Sequence, residues 1–99
     1  MTTRVRRAKG QVFTELGFEP EEAANLRVRA ELMAALRRLL EERELTQARA
    51  AAALGVSQPR VSDLMRGKIE KFSVDTLVAM LGHAGAEVRV SVRGRTKVA

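Results

Sequence analysis

The feature that most constrains the fold is the run of residues 47–64, in which four positions carry the residue types that two closely packed helices need. Counting residue 47 as the first position, Ala51 is fifth and Gly55 is ninth. A small side chain suits the point where the helices come closest, and the turn between them needs a positive φ, which glycine adopts without strain. Val61 and Leu64, at the fifteenth and eighteenth positions, fall on one face of the second helix. This pattern predicts two short helices joined by a tight turn.

Helix signals flank this pair on both sides. Pro20, with Glu21 and Glu22 after it, predicts a helix start, because the fixed proline φ and an acidic first turn both suit a helix N-terminus. Apolar residues then recur at spacings of three and four up to about Arg43, as a long amphipathic helix requires; they are Val28, Leu32, Met33, Leu36, Leu39 and Leu40. Thr46, Ser57 and Ser73 predict the N-caps of three shorter helices, which we expect to end at Gly55, at Gly67, and at Gly82 and Gly85.

The pattern changes over residues 86–94, where Val88, Val90 and Val92 alternate with polar residues. Strict alternation predicts a β-strand. No second segment reads as clearly as a strand, and an unpaired strand leaves its N–H and C=O groups unsatisfied. We expect this strand to pair with its copy in a second chain and so form a homodimer; the alternative is that the valine face packs onto its own subunit.

The two helices of residues 47–64 have the geometry of a helix-turn-helix. Composition favours a polyanionic partner, nucleic acid first and an acidic protein or a membrane surface next, because 18 Lys and Arg against 12 Asp and Glu leave a net charge of +6. The apolar run 50–56 is far shorter than the roughly 20 residues of a membrane span. The absence of Cys excludes disulfides and zinc–thiolate sites, and we expect a cytoplasmic protein.

Catalytic chemistry is not indicated. His83 is the only histidine and falls at the end of the last predicted helix, where the helix dipole favours a cation. The serines fall at caps, on the second short helix or on the strand, and the chain has no Gly-rich phosphate loop. The sequence therefore predicts no enzyme activity, no metal site and no cofactor.

Three segments resemble the Xre/Cro repressor-type helix-turn-helix family: Leu45-Thr46-Gln47-Ala48, the run from Gly55 to Ser62, and Met65-Arg66-Gly67-Lys68. From residues 12–18 to the valine strand, the chain resembles the HigA-like antitoxins. The resemblance implies a mainly α, lambda-repressor-like bundle of four to five helices with a C-terminal β-strand pairing across a dimer. Its parts would be a basic arm (1–10), an N-terminal segment with the long helix (11–45), the helix-turn-helix core (46–85), the dimerisation strand (86–94) and a basic tail (95–99).

The resemblance also implies site residues and partners. The helix that begins after Ser57 would enter the major groove of a palindromic double-stranded operator, with Ser57, Gln58, Arg60 and Ser62 on or near its reading side. Binding there would let the protein repress its own operon. Backbone phosphates would be contacted by Thr46, Gln47, Arg66 and Lys68, whereas Asp63 would repel phosphate unless it accepts from cytosine N4.

As an antitoxin, the chain would cover a RelE/HigB-like ribonuclease toxin with Phe13, Leu16 and Phe18. Two other hypotheses stay open at this point. One is a stand-alone Xre-type repressor without a toxin partner. The other is a protein-interaction module that does not bind DNA.

Overall fold

Four α-helices and a short 3₁₀ helix make up the structure, a computed structural model that describes residues 13–94. They are α1 (Pro20–Arg43), α2 (Gln47–Leu54), α3 (Gln58–Met65), the 3₁₀ helix Ile69–Lys71 and α4 (Val74–His83). A helical turn at residues 13–15 precedes α1. The prediction of a mainly α chain is confirmed; the predicted basic arm and basic tail lie outside the described residues.

The helix starts follow the predicted caps, with one difference. The Thr46 hydroxyl accepts a hydrogen bond from the Arg49 N–H (3.2 Å), and the Ser73 hydroxyl accepts one from the Thr76 N–H (3.1 Å). Ser57 occupies the N-cap of α3, but its side chain makes no capping bond. An N-cap oxygen bonds the second or third N–H of the helix. Here Pro59 removes the second N–H, and the Arg60 N–H is bonded to the Ser57 carbonyl (3.1 Å).

The helix ends show why glycine was a useful signal. Gly55 ends α2 with φ 71°, while the Val56 N–H bonds back to the Ala51 carbonyl (3.0 Å). Gly82 was predicted to end α4 together with Gly85, and this is wrong, because Gly82 is helical and α4 runs on to His83. The left-handed residue after α4 is Gly85, with φ 85°.

Helix α1 spans 24 residues and packs against α4, α3 and the 3₁₀ helix. Of the predicted apolar stripe, Met33, Leu36 and Leu40 are buried, whereas Val28, Leu32 and Leu39 are half-buried. Despite its length α1 is too polar to cross a membrane, and no other helix within residues 13–94 meets that requirement.

The core lies where α1, α2, α3 and α4 meet. Its most completely buried large side chains come from each of the four α-helices and from the loop before α4: Leu36, Leu54, Val61, Leu64, Phe72, Leu77 and Met80. Val78 of α4 is 38% exposed. Phe72, which the sequence pattern did not single out, is only 1% exposed and belongs to the same core.

The predicted C-terminal strand is not present within residues 13–94. Residues 86–94 have no regular secondary structure, and their backbone finds no ladder partner in the described part of the chain. Ala86 and Val88 pack against the helical core, while Val90 and Val92 are 81% and 91% exposed. The alternation predicted a strand, and this is wrong: a strand needs a neighbouring strand, and the described part of the chain supplies none.

Candidate nucleic-acid interface

The helix pair α2–α3 has the packing that the four-position pattern predicts. Ala51 is buried where α2 meets α3, and Val61 and Leu64 point from α3 into the core. Since each helix has only eight residues and is too short to be stable alone, this buried contact holds α3 at a fixed angle. The opposite side of α3 is left facing outward.

Gly55 is constrained by a second feature that the sequence did not reveal. A Cβ built at this residue would lie 2.9 Å from His83 Nε2 and 3.0 Å from His83 Cδ2. The imidazole from the last turn of α4 therefore lies against the turn between α2 and α3. Glycine suits this position because of its positive φ, and a Cβ here would in addition require the exposed His83 side chain to shift.

The outward side of the pair carries the polar residues named from the sequence. Gln47 and Gln58 occupy the first positions of α2 and α3 and are exposed, so these amides lie beside the unpaired N–H groups of two helix starts. Of the six remaining predicted residues, three are exposed (Thr46, Ser57 and Arg66) and three are half-buried (Arg60, Ser62 and Lys68).

Arg60 is engaged within the protein. Its Cζ lies 4.3 Å from the centroid of the Phe72 ring, and its NH1 donates to the Lys71 carbonyl (2.9 Å). Stacking on an aromatic face together with one hydrogen bond orders the guanidinium and ties α3 to the loop before α4. This contact could not be predicted from the sequence, because its partners are separated along the chain and meet only in the folded state.

Helix α1 also contacts the loop before α4, through Arg29. Arg29 NH1 donates to the Ile69 carbonyl (3.1 Å) and the Phe72 carbonyl (3.4 Å), while its Nε donates to the Asn25 side chain (2.7 Å). Arg29 and Arg60 therefore tie the loop of residues 67–72 to α1 and to α3, respectively. Arg29 was missed by sequence reasoning, since nothing in its neighbours distinguishes it from the other arginines of α1.

Asp63 was predicted to repel phosphate, and the structure pairs it with a cation. Lys68 Nζ lies 3.7 Å from Asp63 Oδ1, with both side chains partly buried. The neighbouring ammonium offsets the carboxylate charge at the end of α3. Arg66, between them in sequence, is exposed, and its side chain makes no hydrogen bond or salt bridge within residues 13–94.

Comparison with known proteins agrees with this geometry. A family model described as a helix-turn-helix domain matches residues 12–93. A solved structure described as an XRE family transcriptional regulator has 35% sequence identity and a TM-score of 0.71, covering 79% of this chain and 90% of that chain. The chain belongs to the XRE-type helix-turn-helix family. No curated protein matches it at a significant level.

This helix-turn-helix domain places the other predicted residues on separate elements. Phe13 and Phe18 flank the turn before α1, and their rings meet edge to face with centroids 6.2 Å apart. Leu16, between them, is 69% exposed. Val88 and Val90 line a cleft of about 230 Å³ together with residues of α1 and α4.

The domain offers no arrangement that suggests a metal centre. Within residues 13–94, no group of three or more His, Cys, Asp or Glu is placed to hold a metal ion.

Proposed function

We propose that this chain is a sequence-specific DNA-binding transcriptional regulator that inserts α3 into the major groove of duplex DNA. The observation that carries the proposal is the fixed α2–α3 pair, whose outward side is polar at the start of α3 and cationic after its end. A major groove about 12 Å wide admits one helix, and a rigid support lets that helix present its side chains in a defined register. Membership of the XRE-type family supports the same assignment.

The contacts divide into reading and positioning. Gln58 is exposed at the first position of α3 and reaches base edges, where a glutamine amide pairs with adenine N6 and N7. Ser57 and Ser62 add hydrogen bonds beside it. At the start of α2, the Thr46 hydroxyl accepts the Arg49 N–H and keeps its own proton to donate to a phosphate oxygen, next to the Gln47 amide.

Cations after α3 complete the phosphate contacts. Arg66 has a free guanidinium, and Lys68 exchanges Asp63 for phosphate when the duplex arrives. Arg60 reads guanine through the N–H groups that do not donate to the Lys71 carbonyl. Stacking on Phe72 orders this side chain before binding, which lowers the entropy cost of the contact.

Dimerisation remains part of the proposal. Val90 and Val92 are the most exposed large apolar side chains of the described residues, and pairing of residues 86–94 with a second copy would cover them and satisfy their backbone groups. Two copies would place two α3 helices on half-sites about one DNA turn, ~34 Å, apart. This is the arrangement that reads a palindromic operator.

A more specific proposal is that the chain is an antitoxin. The exposed Leu16 and the neighbouring Phe13–Phe18 pair support this proposal, because they form an apolar surface that a RelE/HigB-like toxin could cover. A stand-alone regulator needs no such surface and accounts equally well for the helix-turn-helix. Co-expression with a RelE-like toxin encoded beside this gene separates them: an antitoxin restores growth, and Leu16→Asp abolishes the rescue. Unrelieved toxicity would leave the stand-alone regulator.

The non-enzyme assignment and cytoplasmic location are likewise part of this proposal. The remaining alternative, a protein-interaction module that does not bind DNA, predicts different solution behaviour. A chain that contacts phosphates loses affinity linearly in a plot of log K against log salt, with a slope of about −0.9 per phosphate contact.

The direct experiment selects tight binders from a pool of random duplexes and measures their affinity across salt concentrations. We expect enrichment of a palindromic sequence and a steep negative slope. Failure to enrich any sequence, together with a slope near zero, would contradict the proposal and favour the interaction module.

A further inference from the structure

The loop of residues 67–72, which Arg29 and Arg60 hold in place, has a second α1 arginine beside it. Arg37 NH1 would lie 3.9 Å from a Cβ built at Gly67. Gly67 has φ 73° and immediately follows Arg66 at the end of α3. The Arg37 guanidinium thus lies near the end of α3. Arg37 itself belongs to α1, for which the sequence analysis predicted no DNA contact.

Arg37 differs from Arg29 in what its guanidinium binds. The Arg29 donors are used by the carbonyls of Ile69 and Phe72 and by the Asn25 amide. The Arg37 side chain is exposed and makes no hydrogen bond or salt bridge within residues 13–94. The acidic residue one turn further along α1, Glu41, forms no ion pair with it in that part of the chain. All five donors of Arg37 are available to an outside acceptor.

The surroundings of Arg37 select an anion as that acceptor. Arg66 and Lys68 are the chain neighbours of Gly67, so three cationic residues meet near one glycine, and the Asp63 carboxylate, 3.7 Å from Lys68 Nζ, offsets only one of these charges. Mutual repulsion of cations at this density is relieved by a bound anion. A guanidinium also matches phosphate geometry through paired N–H donors.

We propose that Arg37 is a phosphate-binding residue, through which α1 joins α3 in gripping the DNA backbone at Gly67. The inference rests on the proposed function, because it takes the phosphate from duplex DNA. It adds α1 to the interface and a third cation to Arg66 and Lys68. The loop fixed by Arg29 and Arg60 keeps the three cations together before DNA arrives.

The test compares Arg37→Ala with Arg38→Ala, which removes the same charge from the next, also exposed, position of α1. The full-length chain is titrated into a labelled random-sequence duplex of about 24 base pairs at several salt concentrations. We expect Arg37→Ala to weaken binding roughly 3–10-fold at 0.1 M salt and to reduce the salt slope by about 1. Arg38→Ala should leave the slope as in the wild type, and Arg37→Lys should restore it.

The outcomes separate the two claims. A wild-type chain that binds the duplex with a steep slope, while Arg37→Ala and Arg38→Ala behave alike, overturns the Arg37 contact and leaves the proposed function standing. A wild-type chain with no salt-dependent binding overturns both. A lower melting temperature of Arg37→Ala with an unchanged slope would make Arg37 a partner of the α3 C-terminus instead.

Discussion

At the residue scale, the turn at Gly55 joins two independent requirements, a positive φ and contact with His83. The first was readable from the sequence, because a glycine between two short helices is a common helix-end signal. The second was not, since His83 comes from a helix nearly thirty residues later. Contacts that depend on tertiary packing leave no local pattern.

Gly55→Ala is expected to destabilise the fold by about 1–3 kcal/mol for two reasons. Alanine is strained at the positive φ of this residue, and its Cβ would clash with the His83 imidazole. Gly85→Ala should cost about 1 kcal/mol, since its φ is positive but nothing lies within 4 Å of the Cβ position. Gly82→Ala, within α4 and in open space, should stabilise by roughly 0.5–1 kcal/mol. Thermal unfolding measures all three, and equal losses at Gly55 and Gly85 would show that His83 yields without cost.

Arg60→Ala should weaken binding to the selected operator by about 1–3 kcal/mol more than binding to random duplex, because a base contact is lost only on the operator. Phe72→Leu should produce a smaller loss of the same kind, since the ring orders the guanidinium. Fluorescence anisotropy on both duplexes measures the difference. An equal loss on the two duplexes would make Arg60 an anchor of the loop and not a reader.

At the element scale, helix positions were predictable from caps, glycines and the spacing of apolar residues, and the boundaries of α2, α3 and α4 follow these signals closely. The exceptions have local reasons: Pro59 removes the N–H that Ser57 would have capped, and α4 continues through Gly82. The C-terminal strand failed for a different reason. A strand is stabilised by its neighbour, and alternation in one segment does not supply one.

The end of α1 contains a correctable strain. Glu44 has φ 52° and is the only non-glycine residue with a positive φ within residues 13–94. Glu44→Gly should raise the free energy of unfolding by about 1 kcal/mol, because glycine adopts this conformation without steric cost. The matched control Glu42→Gly, inside α1, should lower it by about 1 kcal/mol. Denaturant titration measures both, and loss of stability in Glu44→Gly would contradict the left-handed conformation.

At the scale of the whole molecule, the sequence predicted a helix-turn-helix core with polar and cationic groups on its outer side, and the structure confirms that core. The arrangement of arginines around the 67–72 loop could not be predicted, because Arg29, Arg37 and Arg60 reach it from two helices. Assembly is likewise beyond the pattern of one chain. It depends on what covers Val90 and Val92.

Val90→Asp should convert the proposed dimer to monomer, because two carboxylates would be brought into an apolar contact between copies. Sedimentation velocity at micromolar concentration measures the change, and Ser91→Asp, on the polar side of the same segment, should leave the dimer intact. A wild-type monomer, or a Val90→Asp dimer, would place the assembly surface elsewhere.

Whether the outward side of α3 enters duplex DNA can be measured by NMR. The ¹⁵N-labelled chain is titrated with the selected duplex, and the amide chemical shifts are followed residue by residue. We expect the largest changes in amide chemical shift at residues 46–47, 57–62 and 66–68, and a smaller change near residue 37. Changes confined to residues 13–18 and the N-terminal half of α1, with α3 unaffected, would contradict it.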